Sequence, residues 1–120
     1  MLKTKNIIRG SIWLADLGKP IGKTSIQKNI RPVVIVSNEM CNKFSPVITV
    51  VPLTTRTKNN LPTHVTIPIN TGISQTSVAL VEQIMPLDTY NLIKEVGYCN
   101  NKIITSINKA ILIQSGIHAS

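Results

Sequence analysis

Five apolar runs follow one another along the first two thirds of the chain: RGSIWLADL (9–17), RPVVIVSN (31–38), PVITVVPLT (46–54), THVTIPI (63–69) and SVALVEQI (77–84). Runs of this length, rich in β-branched residues and closed by Gly, Pro, Asn or Ser, predict strands. The segments between them are too short for crossover helices, so the sheet is expected to be largely antiparallel and curled into a small barrel. Pro52 and Pro68 lack a ladder donor, which places them at edges, bulges or strand ends.

Near residue 87 the pattern changes. In LDTYNLIKEVG, Asp88 is placed to cap a short helix over residues 88–97 and Gly97 to end it in the left-handed conformation. In NNKIITSINKAILIQSGI, Asn100 or Asn101 caps a second helix, with Ile103, Ile107, Ala110 and Ile111 recurring as a buried stripe. That helix is expected to close one face of the sheet. The chain shows no internal repeat, low-complexity tract or linker, and its 120 residues suit one domain, 1–120.

Hydrophobic residues make up 42% of the chain and mean hydropathy is +0.17, enough apolar material to offset chain entropy. The aromatic residues are Trp13, Phe44, Tyr90 and Tyr98 alone, so the core is built mainly from Ile, Val and Leu. Arg9 and Asp16 break the first apolar stretch before it reaches the length of a signal-peptide core or membrane span, which predicts a cytoplasmic protein without membrane association. Cys41 and Cys99 read as reduced packing thiols, and the two histidines, His64 and His118, sit near no cysteine in sequence, so neither metal nor cofactor is expected.

Charge changes the picture most. Thirteen Lys and Arg against five Asp and Glu give a net charge of +8, which points to an anionic partner, with nucleic acid foremost. Between Asp16 and Glu39 no acidic residue occurs, while Lys19, Lys23, Lys28 and Arg31 all fall in that gap. A solvated basic loop serving solubility is the alternative.

The stretch GKPIGKTSIQKNIRP (18–32) ends a phosphate-loop pattern at Gly22, Lys23 and Thr24. Only three residues separate its glycines where four are needed, and Pro32 begins a strand where that motif requires a helix. The stretch therefore reads as a flexible basic loop that delivers the chain to Arg31.

Pro32 holds Arg31 extended at the start of a strand. A guanidinium there offers a planar fork for phosphate oxygens and charge for a pentacoordinate transition state, although a structural pairing with a carboxylate such as Glu82 uses the same residue. The end of the third strand offers Thr54, Thr55, Arg56 and Lys58, able to contact a phosphate backbone or equally to form a polar turn.

The ordered set RGSIWLADL, RPVVIVSNE, FSPVITVVPLT, LPTHVTI and VALVEQI closely resembles the MazF/PemK family of ribosome-independent endoribonuclease toxins, over nearly the whole chain. The resemblance implies an SH3-like/CcdB-type antiparallel β-barrel with a C-terminal helix and a short helix packed on it, mainly β with α, and a homodimer. It further implies metal-independent cleavage of single-stranded RNA (mRNA) at a short sequence, through attack by the RNA's own 2′-OH to give 2′,3′-cyclic phosphate and 5′-OH ends. Inhibition by a cognate antitoxin whose acidic C-terminal segment lies along the RNA groove belongs to the same implication.

Carried onto this chain, the family's catalytic Arg falls on Arg31 and its hydroxyl residue on Thr54. The RNA-binding expectation covers Lys19, Lys23, Lys28, Thr55, Arg56, Lys58 and Gln83. An arginine is a poor general base, so Arg31 is assigned charge stabilisation, with Thr54 donating to the scissile phosphate. Gln83, in the EQI stretch, could read a base edge; Glu82 either orients Arg31 or satisfies a core hydrogen bond, the second reading being favoured. Met85 stands where relatives often carry a basic residue. His64 reads as structural, and Trp13 as buried in the core or a dimer interface. The alternative functions are a catalytically silent RNA-binding relative and a gyrase-directed CcdB-like toxin.

Overall fold

The structure, a computed structural model, describes residues 5–56 and 59–118. Seven strands form one highly bent sheet: β1 (Ser11–Asp16), β2 (Ile30–Ile35), β3 (Val47–Thr54), β4 (His64–Ile67), β5 (Ser77–Leu80), β6 (Met85–Asp88) and β7 (Leu92–Tyr98). Their order is β4-β5-β3-β2-β1-β7, with β6 also on β3, and the pairings are antiparallel. Two helices accompany the sheet, α1 (Glu39–Phe44) and α2 (Asn101–Gln114).

Alternation along β2 explains why VVIV reads as a continuous apolar run. Val34 and Val36 enter one core with Leu53, Ile67 and the α2 residues Ile103, Ile107 and Ala110. Val33 and Ile35 enter another with Trp13, Ile48, Val50 and Leu92. Both faces of the strand are buried, so neither tolerates a polar position. Trp13 is a core residue whose indole N–H donates to Ser11 Oγ at 3.0 Å. Cys99 lies wholly inside the first core, and burial pushes its thiol up to about 11.

Both troublesome prolines are placed by their missing donor. Val36 N–H bonds to Thr49, so along this register Pro52 points its nitrogen away from β2. It falls where β3 changes neighbours, from β6, which pairs up to Val50, to β5, which begins at Leu53. Pro68 directly follows β4 and opens a single 3-10 turn, Ile69–Thr71. The run 77–84 is likewise interrupted: β5 ends at Leu80, a 3-10 turn spans Val81–Gln83, and the chain resumes as β6 along the other half of β3.

The second expected helix is present with Asn100 as its cap, accepting from Ile103 N–H, and with Ile103, Ile107 and Ala110 buried. The expected helix over 88–97 is not. Asp88 does accept from Tyr90 N–H, but the turn it caps, Thr89–Asn91, yields at Leu92 to β7, which pairs along β1. The open edge of β1 offers a ladder, broken by register shifts at Val96 and Ile93, and these β-branched residues still suit a strand better than a helix. Gly97 has a different use from the one its sequence suggests: a Cβ there would overlap the Thr71 carbonyl. Gly72, at φ +115°, meets Val96 in the same way, so the segment following β4 packs backbone to backbone on β7 and draws the two ends of the sheet together.

The short helix α1 lies elsewhere, before β3. Asn38 caps it through Cys41 N–H, a Glu39–Lys43 ion pair at 3.0 Å spans it, and Ser45-Pro46 follows.

Candidate active site

The β2–β3 ladder runs from Ile35↔Val50 to Val33↔Pro52 and stops. Pro32, next in line, has no N–H to continue it. Beyond that point the strands part, and an open cavity of about 420 Å³ lies between them, lined by Arg31 and Pro32 on one side and Leu53, Thr54 and Thr55 on the other. The dipeptide that sets Arg31 extended thus also opens the space it faces.

Arg31 is half-buried at the second position of β2, across from Ala15 on β1. Its Nε donates to the Lys28 carbonyl at 2.9 Å. No carboxylate pairs with it among the described residues: Glu39 pairs with Lys43, and Glu82 is hydrogen-bonded to His64. A guanidinium fixed in this way, in one cavity with a hydroxyl, has the donor geometry that suits an anion. Thr54, the last residue of β3, is buried, and its Oγ1 accepts from Arg56 N–H and donates to the Arg56 carbonyl, both at 3.2 Å. The hydroxyl is thereby held in place at the cavity wall. Thr55 and Arg56 are exposed beside it, while Lys58 lies outside the described residues.

Glu82 turns away from Arg31. Its Oε1 accepts from Thr63 Oγ1 at 2.9 Å and its Oε2 faces His64 Nε2 at 2.8 Å. Burial raises the carboxyl's pKa, but the hydrogen bonds from His64, its own backbone and Thr63 prevail and hold it below the ordinary 4.5. His64 Nδ1 accepts from Leu61 N–H at 3.3 Å, which leaves the ring proton on Nε2, facing Glu82. The imidazole lines a different cavity, of about 740 Å³, between β4 and α2. Glu82 and His64 are thus bonded to each other, and neither lines the Arg31 cavity.

The basic loop is anchored at its base and at its return limb. Asn29, at φ +66°, bonds through its backbone to Leu17 and Gly18. Further out, the Gln83 carboxamide accepts from Gln27 N–H at 2.8 Å and donates to the Ser25 carbonyl at 2.9 Å. Lys19 and Lys23 are exposed and Lys28 half-buried. No helix follows Thr24, as the rejected phosphate-loop motif would need. Gln83 therefore spends its amide on the loop in this conformation, a use for which the sequence carried no signal. Met85 packs half-buried on the second core.

The structure also brings Ser74, Gln75 and Ser77 to the Arg31 cavity. They lie more than forty positions from Arg31, and sequence spacing gives no hint of it. Among the described residues no cluster of three or more His, Cys, Asp or Glu side chains could hold a metal ion, and no helix is long and apolar enough to cross a membrane.

Residues 8–114 match the family described as PemK-like, MazF-like toxin of type II toxin-antitoxin system, and the chain belongs to it. Among its relatives, an endoribonuclease MazF from Staphylococcus saprophyticus subsp. saprophyticus is 41% identical over 112 residues, 92% of each chain. A solved endoribonuclease in complex with its cognate antitoxin, from mycobacterial species, is 26% identical with a TM-score of 0.77, covering 96% of this chain and 100% of that one. MazF from Deinococcus radiodurans, at 18% identity, shares the fold with a TM-score of 0.79 over 94% of this chain and 100% of that one.

Proposed function

We propose that this chain is a single-domain, metal-independent and sequence-specific endoribonuclease toxin that cleaves single-stranded RNA, mRNA included, and is silenced by a cognate antitoxin. The observation that carries the reading is Arg31: a guanidinium with no carboxylate partner among the described residues, fixed by the loop carbonyl, in one cavity with the Thr54 hydroxyl. In the reaction the 2′-oxygen of one nucleotide attacks its own 3′-phosphorus and the bond from phosphorus to the next 5′-oxygen breaks. The products are a 2′,3′-cyclic phosphate and a 5′-OH, the 2′ proton being lost and one gained by the leaving oxygen.

Arg31 stabilises the negative charge that grows on the non-bridging oxygens, and Thr54, once its hydroxyl proton turns from the Arg56 carbonyl, donates to the same phosphate, so positioning and electrostatics supply the rate. The exposed Lys19 and Lys23, with Lys28, Thr55, Arg56 and Lys58, follow the RNA backbone. Gln83 meets a base only once its loop contacts are released.

An acidic antitoxin segment would meet the same field, since the chain carries +8. A homodimer has apolar surface available at Met40, Phe44 and Val47, all exposed in the single chain.

Incubation of the protein with a long RNA in excess chelator, followed by end-group analysis, tests the proposal. New 2′,3′-cyclic phosphate and 5′-OH ends are expected. RNA that is bound but left intact would instead make the protein a silent RNA-binding relative, and inhibition of gyrase without RNA cleavage would make it a CcdB-like toxin.

A further inference from the structure

We propose that Gln75 reads the base of a nucleotide bordering the scissile phosphate, an inference that rests on the endoribonuclease reading above. Its backbone is fixed on both sides. Gly72 is locked against Val96 at φ +115°, and Ser77 Oγ donates to the Gln75 carbonyl at 2.9 Å. The side chain is exposed, and Gln75 lines the cavity that contains Arg31 and Thr54.

Most other polar groups at the site are already engaged, and the remaining hydroxyls, Thr55 and Ser74, carry donor and acceptor on one atom, not side by side as an amide does. Arg31 Nε holds Lys28, Thr54 Oγ1 holds Arg56, Ser77 Oγ holds Gln75 itself, and Gln83 holds the loop. The Gln75 carboxamide makes no hydrogen bond among the described residues. It therefore presents an adjacent donor and acceptor at no cost in broken contacts, the pairing that a base edge requires.

The remainder of the cavity suits a base. Leu14, Pro32, Ile73 and Val96 give it an apolar wall without an aromatic ring, so the base face finds contact but no stacking platform, and discrimination falls to its edge. The volume of about 420 Å³ is that of a small-molecule site. The ligand is thus one unpaired nucleotide whose base offers a neighbouring donor and acceptor.

Cleavage of a randomised RNA pool by the full chain, with the cut sites sequenced, tests this. Gln75→Ala should flatten the preference at one position beside the cut by about tenfold while the other positions keep theirs, and Gln75→Glu, which removes the donor, should shift the favoured base there. An unchanged cut-site profile in both variants would overturn the inference and leave the endoribonuclease reading intact. So would an equal loss of cleavage at every sequence with the fold preserved by circular dichroism. Absence of cleavage by the unaltered protein removes both readings.

Discussion

Arg31 Nε donates to the carbonyl of Lys28 at 2.9 Å, so the guanidinium's orientation depends on the position of the basic loop. That position is set in turn by Gln83, whose amide holds Gln27 and Ser25. Closure also has a cost, because Gln27 Oε1 is buried without a hydrogen-bond partner. The loop is accordingly tied down by a pair of side-chain hydrogen bonds on its return limb.

Gln83→Ala should loosen this arrangement. Hydrogen exchange across residues 18–28 rises and trypsin cuts sooner at Lys23 or Lys28, while overall stability falls by only about 1–2 kcal/mol, the worth of two partly exposed hydrogen bonds. RNA cleavage slows as Arg31 loses its brace. Unchanged exchange in the loop would show that Gln83 does not hold it.

Glu82 gives the fold a pH dependence. Its carboxyl lies below the ordinary 4.5 in the folded chain, so its stabilising contribution is complete above that value and is lost as pH falls through the folded-state value. Urea unfolding from about pH 6 to about pH 3 should therefore show a loss of stability that Glu82→Gln reduces. Glu82→Ala should cost about 1–3 kcal/mol at neutral pH, since Thr63 and His64 both lose their acceptor. Identical pH profiles for the unaltered protein and Glu82→Gln would refute the assignment.

At Gly97 backbone meets backbone, so the neighbours of an added methyl group have little room to yield. Gly97→Ala should destabilise the protein by about 3 kcal/mol, read as a lowered denaturation midpoint with unchanged slope. A neutral effect would mean that Thr71 and Gly97 do not meet as described.

The strands around the site were legible because burial on two faces leaves so few options. β2 and β3 announce themselves through runs rich in Val and Ile, and α2 through the Asn100 cap and its 103, 107, 110 stripe. β7 was not legible: Asp88 and Gly97 carry the marks of helix ends, and only the vacant edge of β1, a tertiary fact, makes Leu92–Tyr98 a strand. α1 is a six-residue helix, too brief for a periodic signal. Local chemistry makes Arg31 and Thr54 candidates while leaving a structural pairing and a polar turn open, and it is the family resemblance that singles them out. That Arg31 has no carboxylate partner, that Glu82 belongs to His64, and that Gln75 shares the cavity depend on contacts among distant parts of the chain.

The most direct test of the central claim is single-turnover cleavage of one RNA in chelator by the unaltered protein and by Arg31→Ala, each with its melting curve. The expected result is rapid cleavage by the first and a rate at least about 100-fold lower for the second, with Arg31→Lys recovering little because an ammonium lacks the planar fork. Melting temperatures should agree within a few degrees, since Arg31 forms no ion pair whose loss would unfold the chain. Cleavage by Arg31→Ala at the unaltered rate, from a folded protein, would contradict the account.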